Sequence, residues 1–148
     1  MSIACREKRN TFEWVYKRKR NKDGAIKRYK VRLVAQGFSQ EEGFDYNETY
    51  SRIARFASIR FILAISSILG LQVQQMDVEA AFLNAELKEE IHMYPPTGLT
   101  IREGHEFNLL KTLYGLKQSP WEWNTNLNKF MISMLCTRII ADSCVYIR

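Results

Sequence analysis

The run Gln75-Met76-Asp77-Val78-Glu79-Ala80-Ala81-Phe82-Leu83-Asn84 puts one carboxylate at the end of a strand-like segment and just before a short helix-forming stretch. A carboxylate so placed can hold a hard dication such as Mg²⁺, which takes oxygen ligands and needs only one or two carboxylates beside substrate phosphates. Two-metal phosphoryl transfer uses such a group to bridge both ions. Asp77 suits a helix cap for Glu79–Leu87 equally well, and the residue types leave both roles open. Phe82 faces either the same pocket or the core. A second candidate is Leu113-Tyr114-Gly115-Leu116-Lys117-Gln118-Ser119-Pro120, a glycine turn running into a helix. Its free backbone N–H groups, with Lys117, suit an anion or a base pair, and an ordinary loop has the same composition. His92 and His105 are isolated, and Cys5, Cys136 and Cys144 form no CxxC, so neither a zinc site nor a disulfide framework is supported.

The elements that must position these residues follow from periodicity. Phe12 to Lys17 alternates as a strand, Asn21-Lys22-Asp23-Gly24 is a tight-turn signal, and Tyr29 to Ala35 returns as the second strand. The alternation sets Lys30 and Arg32 on one face and Val31 and Leu33 on the other. A connector to Tyr50 is expected to pack through Phe38, Phe44 and Tyr50. Ser58 caps an expected helix with apolar residues at Ile59, Ile62, Leu63, Ile65 and Leu69, stopped by Gly70. Gln72–Val78 reads as a buried strand, Glu79–Leu87 as a short helix, and Glu90–Tyr94 and Phe107–Lys111 as strands. A helix from Ser119-Pro120 to Leu135 has its proline in the first turn, and Cys144–Ile147 begins a last strand. The expected class is α+β: a basic β-hairpin, then an incomplete antiparallel sheet with helices on one face.

The chain has 148 residues, 46% of them hydrophobic, enough for one domain with a core. No apolar run reaches the roughly 18 residues of a membrane span, and the first residues lack a secretory core, which predicts a soluble intracellular protein. The net charge of +6 is unevenly placed. Residues 1–40 hold twelve Lys or Arg against Glu7, Glu13 and Asp23. A solvated face is the ordinary meaning of a charge run. Here Lys17, Arg18, Lys19, Arg20, Lys27 and Arg28 fall in a hairpin with aromatics between them, the footprint of phosphate-backbone binding.

Four stretches in order and register, Arg28 to Gln40, Phe56 to Arg60, the Asp77 block and Leu113 to Pro120, resemble the reverse transcriptase domain of copia-type LTR retrotransposon polyproteins. The resemblance implies RNA-directed DNA polymerisation, with Mg²⁺ as cofactor and RNA template, DNA primer and dNTP as partners, in the cytoplasm or nucleus. It implies that residues 1–57 form a fingers-like hairpin and connector, and residues 58–148 an incomplete palm. By the same resemblance Asp77 is the first catalytic aspartate and a ligand of both metal ions, and Val78 adds its backbone carbonyl. Phe82 is similar to the steric gate that selects deoxynucleotides. Lys30 and Arg32 resemble the cations that take the triphosphate, and Gly115, Lys117 and Gln118 lie near the template base and incoming nucleotide.

Three departures stand against that pattern. Arg52 occupies a position where the family has Pro, and Trp121 one where it has Arg. The family's Asp-Asp turn is not found before Arg148. The expectation is therefore a truncated fragment that does not catalyse alone, and the alternative is a non-enzymatic nucleic-acid-binding remnant that uses the basic hairpin.

Overall fold

The computed structural model describes residues 10–100, 102 and 105–148, so Cys5 and the cations Arg6, Lys8 and Arg9 lie outside the described residues. Its largest element is the predicted hairpin, β1 (Phe12–Arg20) paired antiparallel with β2 (Ile26–Ala35). The turn closes as its residues dictate: the Gly24 N–H donates to the Asn21 carbonyl at 3.1 Å, and Gly24 adopts φ +80°. The register pairs Lys17 with Lys30, Lys19 with Arg28 and Tyr16 with Val31, and shifts by a bulge between Lys19 and Arg20. Lys17, Lys19, Arg28, Lys30 and Arg32 therefore share one face, because directly paired residues point to the same side.

Two further ladders are short: β3 (His92–Met93) with β4 (Phe107–Asn108), and β5 (Thr137–Arg138) with β6 (Tyr146–Ile147). The mixed α and β content is as expected and so is the hairpin, but the incomplete antiparallel sheet expected after it is, among the described residues, two separate two-stranded ladders. The expected strand at Gln72–Val78 is also corrected. That segment carries no ladder bonds, and every residue from Leu71 to Ala80 is exposed. Alternation can propose a strand, but only a neighbouring chain makes one.

Two α-helices form where the periodicity put them. Helix α1 (Phe56–Ile68) ends in a left-handed Gly70, with the Leu71 N–H donating to Ser66 O at 2.8 Å and the Gly70 N–H to Ser67 O at 3.4 Å. That is a glycine stop satisfying the orphan carbonyls of the last turn. Its start differs from expectation. Arg55 is the cap residue and Ser58 lies inside the helix, while the Asp142 carboxylate accepts the Arg55 N–H at 2.9 Å. The apolar positions of α1 are exposed, Phe56, Phe61 and Ile68 among them. Helix α2 (Ser119–Ser133) begins with Pro120 in its first turn. The expected helix at Glu79–Leu87 shrinks to a 3₁₀ turn, Ala81–Asn84, because Ala80 takes a left-handed conformation (φ 50°) that an α-helix excludes.

The core is small: Ala35, Ile91, Met93 and Leu116 are buried, with Phe12, Leu87, Leu109 and Leu113 packed against them. Phe12 meets Phe107 edge to face, ring centroids 6.3 Å apart. The end of β2 and the 113–116 turn interlock at two glycines. The Ala35 N–H donates to Tyr114 O at 2.7 Å, and a Cβ on either Gly37 or Gly115 would lie 2.0 Å from a carbonyl oxygen. Only glycine allows that approach.

The connector after β2 is also corrected. Phe38, Phe44 and Tyr50 are exposed, and the side chains buried in the connector are polar, those of Gln40 and Asp45. Gln40 Nε2 donates to Gln118 Oε1 at 3.0 Å, Gln118 Nε2 to Asp45 O at 2.8 Å, and Asn10 Nδ2 to Asp45 Oδ1 at 3.0 Å. A satisfied polar network does here what an aromatic core was expected to do. Among the described residues no helix is long and apolar enough to cross a membrane.

Candidate nucleotide and nucleic-acid interface

The basic face of the hairpin, the 3₁₀ turn and the glycine turn converge on one cavity of about 310 Å³. Lys30, Val31, Arg32 and Leu33 of β2, Ala80 just before the 3₁₀ turn and Leu83 within it, and Leu113 and Tyr114 all line it. Arg32 reaches across so that its guanidinium carbon lies 5.3 Å from the Tyr114 ring centroid. The Tyr114 ring is tilted 59° against Phe82, with centroids 4.8 Å apart. Thr112 holds this pair from below, its hydroxyl donating to the Phe82 carbonyl. A cation over an aromatic face, itself braced by a second ring, is a guanidinium with restricted directions.

Asp77 is exposed and precedes this cavity by three residues from Ala80. Its negative charge reaches Lys30. Removal of water around the Lys30 ammonium, followed by the like charges of Arg32, Lys19 and Arg28, pulls that pKa below its ordinary value, and Asp77 opposes them. Crowded cations of this kind gain from a polyanion, which restores the balance that their mutual repulsion disturbs. Val78 is exposed beside Asp77.

Of the expected site residues, Lys30 and Arg32 line this cavity, Phe82 packs on its Tyr114 wall, Gly115 sits against Ala35 in the adjoining turn, and Asp77 lies within electrostatic range of Lys30. Lys117 and Gln118 do not line that cavity. The Lys117 N–H donates to Gln40 Oε1 at 2.8 Å, and its ammonium donates to Gln40 O and to Tyr46 Oη, each at 3.1 Å. The same ammonium lies 4.7 Å from the Tyr46 ring centroid. Gln118 is fully buried between Gln40 and Asp45. Both residues fasten the glycine turn to the connector. Lys17, Arg18, Lys19, Arg20, Lys27 and Arg28 are exposed along the hairpin.

Tyr114 is the cavity residue that sequence reasoning missed. It stood inside a motif singled out for its glycine and lysine, and the available signal was an aromatic immediately before a positive-φ glycine. Among the described residues no group of three or more His, Cys, Asp or Glu converges as a metal site. Asp77 stands as a single exposed carboxylate, a chemistry compatible with one oxygen ligand of a hard cation and short of a complete site.

Residues 3–148 match the sequence model of the family described as Reverse transcriptase (RNA-dependent DNA polymerase). The chain belongs to the reverse transcriptase family. Among its relatives, the Retrovirus-related Pol polyprotein from transposon TNT 1-94 of Nicotiana tabacum is 41% identical over 92% of the chain. Those from transposons RE2 and RE1 of Arabidopsis thaliana are 35% and 34% identical, each over 98% of it. The resemblance to copia-type retrotransposon polyproteins drawn from the four motifs holds. This reverse transcriptase chain spans 10% of the length of each of those relatives. No solved structure matches it.

Proposed function

We propose that this chain is the fingers and part of the palm of a copia-type reverse transcriptase, and that the cavity between β2 and the glycine turn receives the incoming deoxynucleoside triphosphate. The convergence of Lys30, Arg32 and Tyr114 on one space, with Phe82 packed behind Tyr114 and Asp77 within electrostatic reach of Lys30, carries this reading. Lys30 and Arg32 take the triphosphate, since charge-assisted bonds to phosphate oxygens are the strongest polar contacts available. Phe82, held by Tyr114 and Thr112, fills the sugar side and disfavours a 2′-hydroxyl. Asp77, with the Val78 carbonyl, holds Mg²⁺ against the phosphates, where the cation would neutralise developing charge in phosphoryl transfer. Gly115 keeps the turn close to β2, and Lys117 and Gln118 support the template side by fixing that turn. The hairpin cations Lys17, Arg18, Lys19, Arg20, Lys27 and Arg28 hold template and primer phosphates.

These 148 residues contain no adjacent aspartate pair. Two-metal transfer needs more carboxylate than Asp77 supplies, so binding without primer extension is the expected behaviour of these residues alone. The deciding measurement is a titration with a fluorescent dNTP, with and without Mg²⁺. Arg32→Ala should weaken binding by about ten-fold or more, the scale of one lost hydrogen bond to a charged group. Asp77→Asn should abolish the Mg²⁺ enhancement and leave metal-free binding in place. Unchanged affinity in Arg32→Ala places the triphosphate elsewhere. The exposed hairpin also supports the second reading, a nucleic-acid-binding remnant, which primer extension by this chain would exclude.

A further inference from the structure

A single 3₁₀ turn does not hold itself in place. Ala81–Asn84 has two bonds of its own, the Leu83 N–H to Ala80 O at 2.8 Å and the Ala85 N–H to Phe82 O at 3.1 Å. Turns this short persist where other segments fix them. The chain before it, 71–80, is exposed and makes no ladder bonds. The turn is fixed instead at its backbone carbonyls, by residues outside the nucleotide cavity. Thr112 is fully buried, and it donates its hydroxyl to Phe82 O and its N–H to Ala85 O at 3.0 Å. Asn126 of α2 donates its amide to Asn84 O at 3.0 Å. Four residues earlier on the same face of α2, the buried Glu122 carboxylate takes the Lys88 ammonium at 2.8 Å. Asn84, Lys88, Glu122 and Asn126 border a polar cavity of about 200 Å³ that shares no lining residue with the nucleotide cavity.

We propose that Thr112 and Asn126 are positioning residues for sugar selection. By fixing the carbonyls of Phe82 and Asn84 they keep the Phe82 ring from yielding to a 2′-hydroxyl, although neither lines the nucleotide cavity. The inference rests on the reading of that cavity as a triphosphate site with Phe82 on its sugar side, and deepens it. An apolar wall rejects an added hydroxyl only as far as the wall refuses to move. One that shifts by about 1 Å makes room for the extra oxygen, and one locked from behind leaves the ribonucleotide to bear the overlap. The Tyr114 ring braces the Phe82 side chain, with centroids 4.8 Å apart, but ring packing carries little directionality. Hydrogen bonds to the carbonyls do, and they fix the backbone from which the ring projects. The two anchors differ in weight. The Thr112 hydroxyl bonds away from water, whereas the Asn126 bond is solvent-exposed and competes with it.

The test is a competition titration of one dNTP and its ribonucleotide against the full chain, read as the ratio of the two affinities. A merely structural loss lowers both affinities together and leaves the ratio where it was. Thr112→Val keeps the side-chain shape and leaves Phe82 O its bond from the Ala85 N–H. It should lower the dNTP preference about three-fold or more, the scale of one buried hydrogen bond. Thr112→Ser keeps the hydroxyl and should retain the parent ratio. Asn126→Ala should lower the preference about two-fold, as befits an exposed bond, and it decides the matter alone if Thr112→Val does not fold. A ratio unchanged in Thr112→Val and Asn126→Ala, while Phe82→Val collapses it, overturns the clamp and leaves the gate standing. A serine variant as unselective as the valine variant assigns the effect to packing and also overturns the proposal. A parent chain without dNTP preference, or a Phe82→Val ratio equal to the parent's, defeats the sugar-gate reading and the clamp with it.

Discussion

Gly115→Ala tests whether the glycine turn and the end of β2 are held as tightly as the structure places them. Gly115 sits at φ +95°, and a Cβ there would lie 2.0 Å from the Ala35 oxygen and 2.7 Å from Val34 Cγ1. The positive φ alone costs a residue with a Cβ about 1–2 kcal/mol. Relief of the backbone clash needs a separation of about 1 Å, more than the 2.7 Å bond from the Ala35 N–H to Tyr114 O can absorb. Breaking that bond at buried Ala35 costs about 1–3 kcal/mol more. The expected loss is therefore about 2–5 kcal/mol. For a small domain with a mid-range urea slope of about 2 kcal/mol per molar, the midpoint should fall by about 1–2.5 M. Gly24→Ala is the internal control. Gly24 also has positive φ (+80°), but nothing lies within 4 Å of its added Cβ, so only the conformational cost of about 1–2 kcal/mol remains. Because Arg32 leans on the Tyr114 ring, Gly115→Ala should also weaken nucleotide binding and Gly24→Ala should not. If the two variants lose the same stability in urea melts, the interlock of the two motifs is refuted.

Gln118→Met should cost about 2–6 kcal/mol in the same melts, because it removes the partner of the Gln40 amide N–H and of the Asp45 carbonyl in a buried setting, each worth about 1–3 kcal/mol. Asp142 gives a pH dependence of defined sign. The Ser58 hydroxyl, then the Cys144 and Arg55 N–H groups, hold its pKa down from 3.8 to about 2. Its charged form therefore contributes stability in full above about pH 4, and the contribution fades as pH falls through about 2. Asp142→Asn should lower the thermal midpoint at neutral pH and converge with the parent near pH 2; a constant gap across that range would contradict the assignment. Phe82→Val should bring the affinities for dNTP and rNTP towards equality in competition titrations, and an unchanged ratio would remove Phe82 from the sugar site.

Local patterns were legible and distant ones were not. The hairpin, its Asp-Gly turn, the glycine stop of α1 and the proline start of α2 each depend on a few adjacent residues. The Asp77, Lys30, Arg32 and Phe82 candidates rested on motif register; Lys30 and Arg32 line the cavity and Phe82 packs on its Tyr114 wall, a placement that assigns none of them a role. The errors share a cause. Ser58 looked like a cap because the true partner of the Arg55 N–H is Asp142, 87 residues away. Phe38 and Phe44 looked like core because hydrophobicity could not show that Gln40 and Asp45 would find buried partners at Gln118 and Asn10. Gln72–Val78 alternated like a strand, but ladder bonds belong to a pair of segments.

The two ends of the candidate site are built differently. The cations sit on a hairpin ladder, and the Tyr114 turn is bonded to that ladder at Ala35 and to the connector through Lys117 and Gln118. Asp77 sits in a segment whose backbone makes no ladder bonds among the described residues and whose side chains are all exposed. Phosphate binding should therefore draw on a preorganised surface, with little ordering cost. Metal binding at Asp77 has no such ladder to draw on among the described residues, so the Mg²⁺ contribution to nucleotide affinity should be small beside that of Arg32. It should grow when a neighbouring strand fixes Asp77, because the entropy of ordering is then already met.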